Sequence, residues 1–297
     1  MSMKKKDSSV RWRGFLLMSL ASSMFGLGTV LAKLLGEAFN PFFVSWLSLL
    51  CGGVIVSAAQ LVRRKPLLPR LTAAGWIDLI ALGGIGTAMP LLCVVAGLAQ
   101  TSAITGSFLL QSQGPAAILL AVLFLKEKMT WKQAGGIALL IVGSLLVIVR
   151  DLRGPLQIEG GQGDLLVLLA ALGLGFSYIP GKRLTSQGDA WQIILLRLFV
   201  GSLLIVPFLP FQTTTLLVPL SITLAGILAL YIVTNFGLAY VFQQMGLGLL
   251  QAWESAVLMQ SLPLFGTLFA LLILHESITP LQIIGGCIIL LGGFLVI

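Results

Sequence analysis

From Gly14 to Ile297 the chain is a succession of apolar runs about twenty residues long, separated by short polar breaks. A helix rises about 1.5 Å per residue, so a run of that length matches the roughly 30 Å hydrocarbon core of a bilayer. A chain solvated by lipid must satisfy its own backbone hydrogen bonds, which leaves helices or a closed barrel. Barrel strands alternate apolar and polar residues over about ten positions, and these runs lack that period. The fold class read from the sequence is therefore all-α integral membrane. Composition agrees, with 58% hydrophobic and 9% charged residues and a mean hydropathy of +1.05, against roughly 25% charged in a soluble domain. Ten transmembrane helices are expected, over 14–35, 42–62, 73–94, 100–125, 132–149, 163–183, 191–211, 218–241, 248–274 and 280–297. Gly83, Gly84, Gly86 and Pro90 interrupt the third, and Asn235 the eighth. The basic N-terminus and the run after it have no small-residue cleavage site, and read as a retained first helix.

The second half repeats the first at an offset of 149 residues. Sliding 97–148 onto 246–297 without a gap gives 18 identities in 52 positions, among them Gln111 with Gln260, Ser112 with Ser261, Glu127 with Glu276, Thr130 with Thr279 and Gln133 with Gln282. Gly14, Gly26 and Lys33 likewise meet Gly163, Gly175 and Lys182. This predicts a five-helix repeat over 1–149 and another over 163–297. Five is odd, so the second unit enters the membrane in the opposite sense: two inverted five-helix repeats. Rocking one such unit against the other gives alternating access to a central site.

Charge supports that topology. With both termini in the cytoplasm, 14 of the 18 Lys and Arg residues fall on the cytoplasmic side, Lys33, Arg150 and Arg153 outside, and Arg197 within a span. This is the positive-inside asymmetry, and it predicts a multi-pass protein of the cell inner (plasma) membrane. It also explains the net charge of +8 without a nucleic-acid partner. Cys51, Cys93 and Cys287 all lie within spans and show no metal-ligand spacing, so neither a metal nor a cofactor is expected.

Thr130 with Gln133 and Thr279 with Gln282 have the spacing of capping boxes that start helices. Gly136 and Gly143 of the fifth span match Gly285 and Gly292 of the tenth. Small residues let helices approach closely in lipid, so these faces fit each other or a second subunit, and a homodimer is an open alternative.

Pro115, Leu125-Lys126-Glu127, Thr130, Gly136 and Gly143, and in the second half Pro263, Leu274-His275-Glu276, Thr279, Gly285 and Gly292, resemble the EamA domain of the drug/metabolite transporter superfamily. Gly26-Leu27-Gly28, Lys33 and Pro41 fit it more loosely. Lys126 and His275 depart from its small residue before Glu. The prolines are out of register, since Pro263 aligns with Gly114. The resemblance covers nearly the whole chain as two tandem copies. It implies a secondary transporter of small organic metabolites such as amino acids, with efflux the leading direction, a proton as coupling ion, and uptake as the alternative.

A proline within a helix frees a carbonyl about one turn earlier, so helix kinks are expected at Pro115 and Pro263. Gln111 and Gln260, just before them, either contact the solute or bridge helices. Glu254, about two turns into the ninth span, either carries a coupling proton, pairs with a solute amine, sits at the interface or bridges to Arg197; ionisable groups at such depth are costly and usually functional. Arg197 either meets a solute carboxylate or snorkels to the surface. Trp253, Asn235 and Tyr240, with Trp46, Tyr178, Tyr231 and Gln243, could wall a solute. The chain has one histidine, His275, in a loop, and neither an HExxH-like nor a Gly-x-Ser-x-Gly motif, which argues against an enzyme. A non-transporting sensor or assembly protein is the remaining rival.

Overall fold

The structure is a computed structural model that describes residues 8–114, 116, 131–149, 161–184, 187–211, 221–249, 258–259 and 261–296. Trp253, Glu254, Gln260, Pro115, Glu127 and Thr130 lie outside the described residues. All regular structure among the described residues is helical.

Helix α1 spans Ser8–Ala38 and α2 Pro41–Val62. Asn40 separates them: its Oδ1 accepts from the Phe42 N–H at 2.9 Å, and Pro41 sits in the first turn, where a missing N–H costs nothing. Thr72 caps α3, Ala73–Gly83, by accepting from the Gly75 N–H at 3.1 Å. A π-helical segment Gly84–Ala88 then leads into α4, Met89–Leu98. After Ser102 come α5, Ala103–Leu109, and a 3₁₀ turn Leu110–Ser112. The first half ends on α6, Trp131–Val149. The second half holds α7 Gly161–Leu184, α8 Ala190–Ile205 with a 3₁₀ extension Val206–Phe211, α9 Ile222–Tyr231, a π-helical segment Ile232–Ala239, and α10 Tyr240–Leu249. Helices α11 Leu262–Ile273 and α12 Pro280–Val296 close the chain.

Among the described residues six helices are long and apolar enough to cross a membrane, and three shorter apolar helices accompany them. Gly84 and Gly86 of the third apolar run and Asn235 of the eighth fall within the two π segments, Gly83 and Pro90 flank the first, and both runs stay helical through them. Shifted by 149 residues, Gly84–Ala88 lands on 233–237, inside the second π segment.

Packing shows that equivalent helices of the two halves run in opposite directions. On α6 and α12, Gly143 approaches Ile289 while Gly285 approaches Val147. As one helix advances its contact on the other retreats, so the pair is antiparallel. A Cβ at Gly143 would lie 2.7 Å from the Gly285 carbonyl oxygen, and one at Gly285 2.7 Å from that of Gly143, so these two glycines let α6 and α12 approach closely. The α2–α8 pair behaves alike: Gly53 meets Phe199, Leu49 meets Gly201, and Ser202 Oγ donates to the Trp46 carbonyl at 3.5 Å. Exchange between halves governs the rest too, since α1 packs on α9–α10 and α11, while α7 packs on α3–α4 and α5. These contacts are what an inverted repeat requires.

The core is apolar, with Leu35, Leu49, Leu79, Leu98, Leu109 and Leu198 fully buried. The outer surface is apolar as well: Ile77, Leu165, Leu172, Leu203, Leu272 and Ile283 are exposed. A contiguous apolar exterior suits hydrocarbon rather than water.

Candidate functional site

The first π segment positions the intramembrane arginine. A π turn carries one extra residue, which shifts the hydrogen-bond register and presents backbone oxygens sideways; such bulges recur at functional sites. Thr87 Oγ1 donates to the Leu82 carbonyl at 2.7 Å and accepts from Arg197 Nε at 3.0 Å, and Arg197 Nη2 donates to the Gly86 carbonyl at 3.3 Å. The guanidinium carbon lies 5.8 Å from the centre of the Tyr240 ring, within cation–π range. Tyr240 in turn meets Phe25 edge-on at 5.4 Å and Phe236 at 6.1 Å. Arg197 is thus held among three helical spans. No carboxylate among the described residues pairs with it.

The second π segment is used differently. Asn235, equivalent to Gly86, donates from Nδ2 to the Tyr231 carbonyl at 3.3 Å and to Thr234 Oγ1 at 3.2 Å. Its amide presses on Gly28 so closely that a Cβ there would overlap Oδ1. Asn235 therefore fills the seam between α1 and the π segment.

Gln111 lies in the 3₁₀ turn, 4% exposed, and its Nε2 has no hydrogen-bond partner. A buried donor left unmade costs about 1–3 kcal/mol, so this amide is primed for a polar partner. Pro263 lies in the first turn of α11. The ninth apolar run is divided at Ser261, whose Oγ lies 2.9 Å from Ser22 Oγ of α1.

A second polar cluster, absent from the sequence reading as a site, lies at one end of α1, α5 and α7. Glu276 follows His275, which takes the left-handed backbone (φ 52°) where a helix commonly ends on glycine. The turn aims the Glu276 carboxylate at the start of α5, where Oε1 accepts from the Ala103 N–H at 2.9 Å and Oε2 from the Ile104 N–H at 3.2 Å. Lys33 Nζ lies 3.3 Å from Oε1 and donates to the Thr101 carbonyl at 2.7 Å. Thr101 Oγ1 donates to Asp164 Oδ1 of α7 at 2.6 Å. The Thr279–Gln282 capping box is formed, and Gln282 Nε2 donates onward to Thr105 Oγ1 at 3.1 Å. A cavity of about 570 Å³ opens here, lined by Lys33, Gln100, Ser102, His275, Glu276 and Ser277 among others. The opposite end gathers Arg63 over the Trp191 ring, Arg183 paired with Asp78 at 3.3 Å, and Gln187 accepting from Thr72 Oγ1.

No groups of His, Cys, Asp and Glu that could hold a metal occur among the described residues. A model of the EamA-like transporter family matches residues 12–149 and again 161–297. The chain is 28% identical to a "Probable amino-acid metabolite efflux pump" of Salmonella typhimurium, over 99% of this chain and 95% of that protein. It is 25% identical to a "Probable terminal-alkyne amino-acid exporter" of Streptantibioticus cattleyicolor, over 82% and 80%. An "Uncharacterized transporter" of Methanothermobacter thermautotrophicus shares 24% over 95% and 85%. A solved crystal structure matches the fold with a TM-score of 0.64 at 16% identity, covering 98% of this chain and 96% of that one.

Proposed function

The chain belongs to the EamA-like transporter family, and from that premise we propose that it exports small metabolites bearing a carboxylate, amino acids foremost, by alternating access. It is a multi-pass membrane transporter and not an enzyme. The observation that carries the carboxylate is Arg197: the guanidinium is held by Thr87 Oγ1 and the Gly86 carbonyl, both neutral. A cation at membrane depth is costly unless it meets an anion, and a planar guanidinium suits a carboxylate. Tyr240, with Phe25 and Phe236 around it, offers the apolar side of the same site. Export is supported by the names of two relatives, an efflux pump and an exporter. The basic end of the bundle, with Arg63 and Arg183, is assigned to the cytoplasm together with both termini.

Coupling is assigned to a proton on Glu254. Counterflow in proteoliposomes, with a panel of amino acids, amines, purines and sugars, tests both assignments. Solutes with a carboxylate should exchange and their amides should not. Glu254→Gln should abolish the response to a pH gradient while retaining exchange. Equal exchange of an amino acid and its amide would remove Arg197 from the mechanism, and an undiminished pH response in Glu254→Gln would remove the proton from that residue.

A further inference from the structure

Only two charged residues recur identically at the 149-residue offset: Lys33 with Lys182, and Glu127 with Glu276. Every other Lys, Arg, Asp or Glu meets a different residue. One member of each match comes together in space, Lys33 from the first half and Glu276 from the second, 3.3 Å apart with side chains 20% and 13% exposed. From this we propose that the Lys33–Glu276 pair is a latch that closes the solute path at that end of the bundle and must open for the solute to pass. The inference rests on the transport reading.

Glu276 is suited to that task because it makes two kinds of contact at once. Its oxygens accept from the Ala103 and Ile104 N–H groups at the positive end of α5, a favourable place for an anion, and the same carboxylate faces the Lys33 ammonium. Lys33 is anchored in turn by the Thr101 carbonyl. One carboxylate therefore ties α1 and α5 of the first half to the turn after α11 in the second. Any motion of one half against the other at this end has to part these contacts together. The open cavity lies on one side of the pair, by Gln100 and His275. On the other lie the buried hydroxyls of Thr29 and Ser107, 3.0 Å apart, and further along the same chain segment the unpartnered Gln111 amide. The latch divides the open cavity from a polar interior.

The test is thiol accessibility in a background with Cys51, Cys93 and Cys287 replaced and Ser107→Cys introduced. Right-side-out and inside-out vesicles are each treated with a membrane-impermeant thiol reagent. Glu276→Gln should raise the labelling rate at least fivefold in one vesicle orientation only. Lys33→Gln, which leaves the carboxylate cap of α5 in place, should raise it by less in the same orientation, and Lys33→Arg should keep the parent rate. Equal rates in Lys33→Gln and the parent would overturn the latch, as would Lys33→Arg labelling as fast as Lys33→Gln. If Glu276→Gln fails to fold by size exclusion, the lysine pair decides alone. Counterflow is measured on the same samples. Absence of flux in every variant would overturn the transport reading, whereas the labelling rates judge the latch independently.

Discussion

The two π-helical segments occupy equivalent places in the repeat, yet one holds a charge and the other packs a seam. At Gly84–Ala88 the residues without bulk, Gly86 and Thr87, turn oxygens toward Arg197 of α8. At 232–239 the equivalents are Asn235 and Phe236, which lean on Gly28 and Gly52. The partner helices differ in step, since Arg197 of α8 matches Ser48 of α2, whose hydroxyl is buried without a hydrogen-bond partner. Duplication thus preserved the backbone device and let its chemistry diverge. On the proposed alternating-access reading, matched features would serve the rocking of two alike halves, and the broken matches would set the polarity of the site.

Removing the charge at the first π segment should have the largest effect. Arg197→Met keeps length and apolar bulk and deletes every guanidinium contact. Transport of a carboxylate solute should fall about a hundredfold, equivalent to about 2.8 kcal/mol at 1.4 kcal/mol per tenfold, while the melting temperature stays within a few degrees. Asn235→Ala should do the reverse, lowering the melting temperature and sparing transport. Transport losses of similar size in both would mean that the segments share one role.

Much of this arrangement could be read before any coordinates. Runs of twenty apolar residues fix helices because lipid permits little else, and the Thr279–Gln282 spacing announces a helix start through local chemistry. The interruptions at Gly84, Gly86 and Asn235 were visible as interruptions. Their π form was not, because hydrophobic periodicity over five residues does not distinguish a π turn from an α turn. Lys33 and Glu276 were each visible as repeat matches, but their meeting depends on a contact crossed between halves, which no local pattern encodes. Pro263 stands inside a long apolar run, and the structure adds a break at Ser261 just before it that hydropathy alone does not mark.

A second comparison concerns what glycine makes room for. At Gly143 the neighbour is the Gly285 backbone carbonyl, which cannot step aside, whereas at Gly28 it is the side-chain amide of Asn235. Overpacking of a tight contact costs about 1–3 kcal/mol. Gly143→Ala should fall at the upper end of that range and Gly28→Ala at the lower, read as loss of melting temperature in detergent. The double variant Gly28→Ala/Asn235→Ala should recover part of the loss, because removing the amide vacates the space. A Gly28→Ala penalty matching that of Gly143→Ala would mean that Asn235 is as rigid as backbone, and the seam would then be a fixed scaffold and not an adjustable one.

The smallest effect separates the two neutral groups that hold Arg197. The Gly86 carbonyl is backbone and persists in any variant, so Thr87→Val removes one acceptor of two while conserving shape. A hydrogen bond to a charged group contributes about 1.5–3 kcal/mol when lost outright, but here the guanidinium keeps its second acceptor and the Tyr240 face. Thr87→Val should therefore raise the solute KM by about three- to tenfold with little change in maximal rate, because it loosens the orientation of the guanidinium without removing its charge. Tyr240→Phe keeps the aromatic ring facing the charge and should change KM less than twofold. If Thr87→Val were instead as damaging as Arg197→Met, the hydroxyl itself would contact the solute, and the first π segment would be part of the binding surface and not its support.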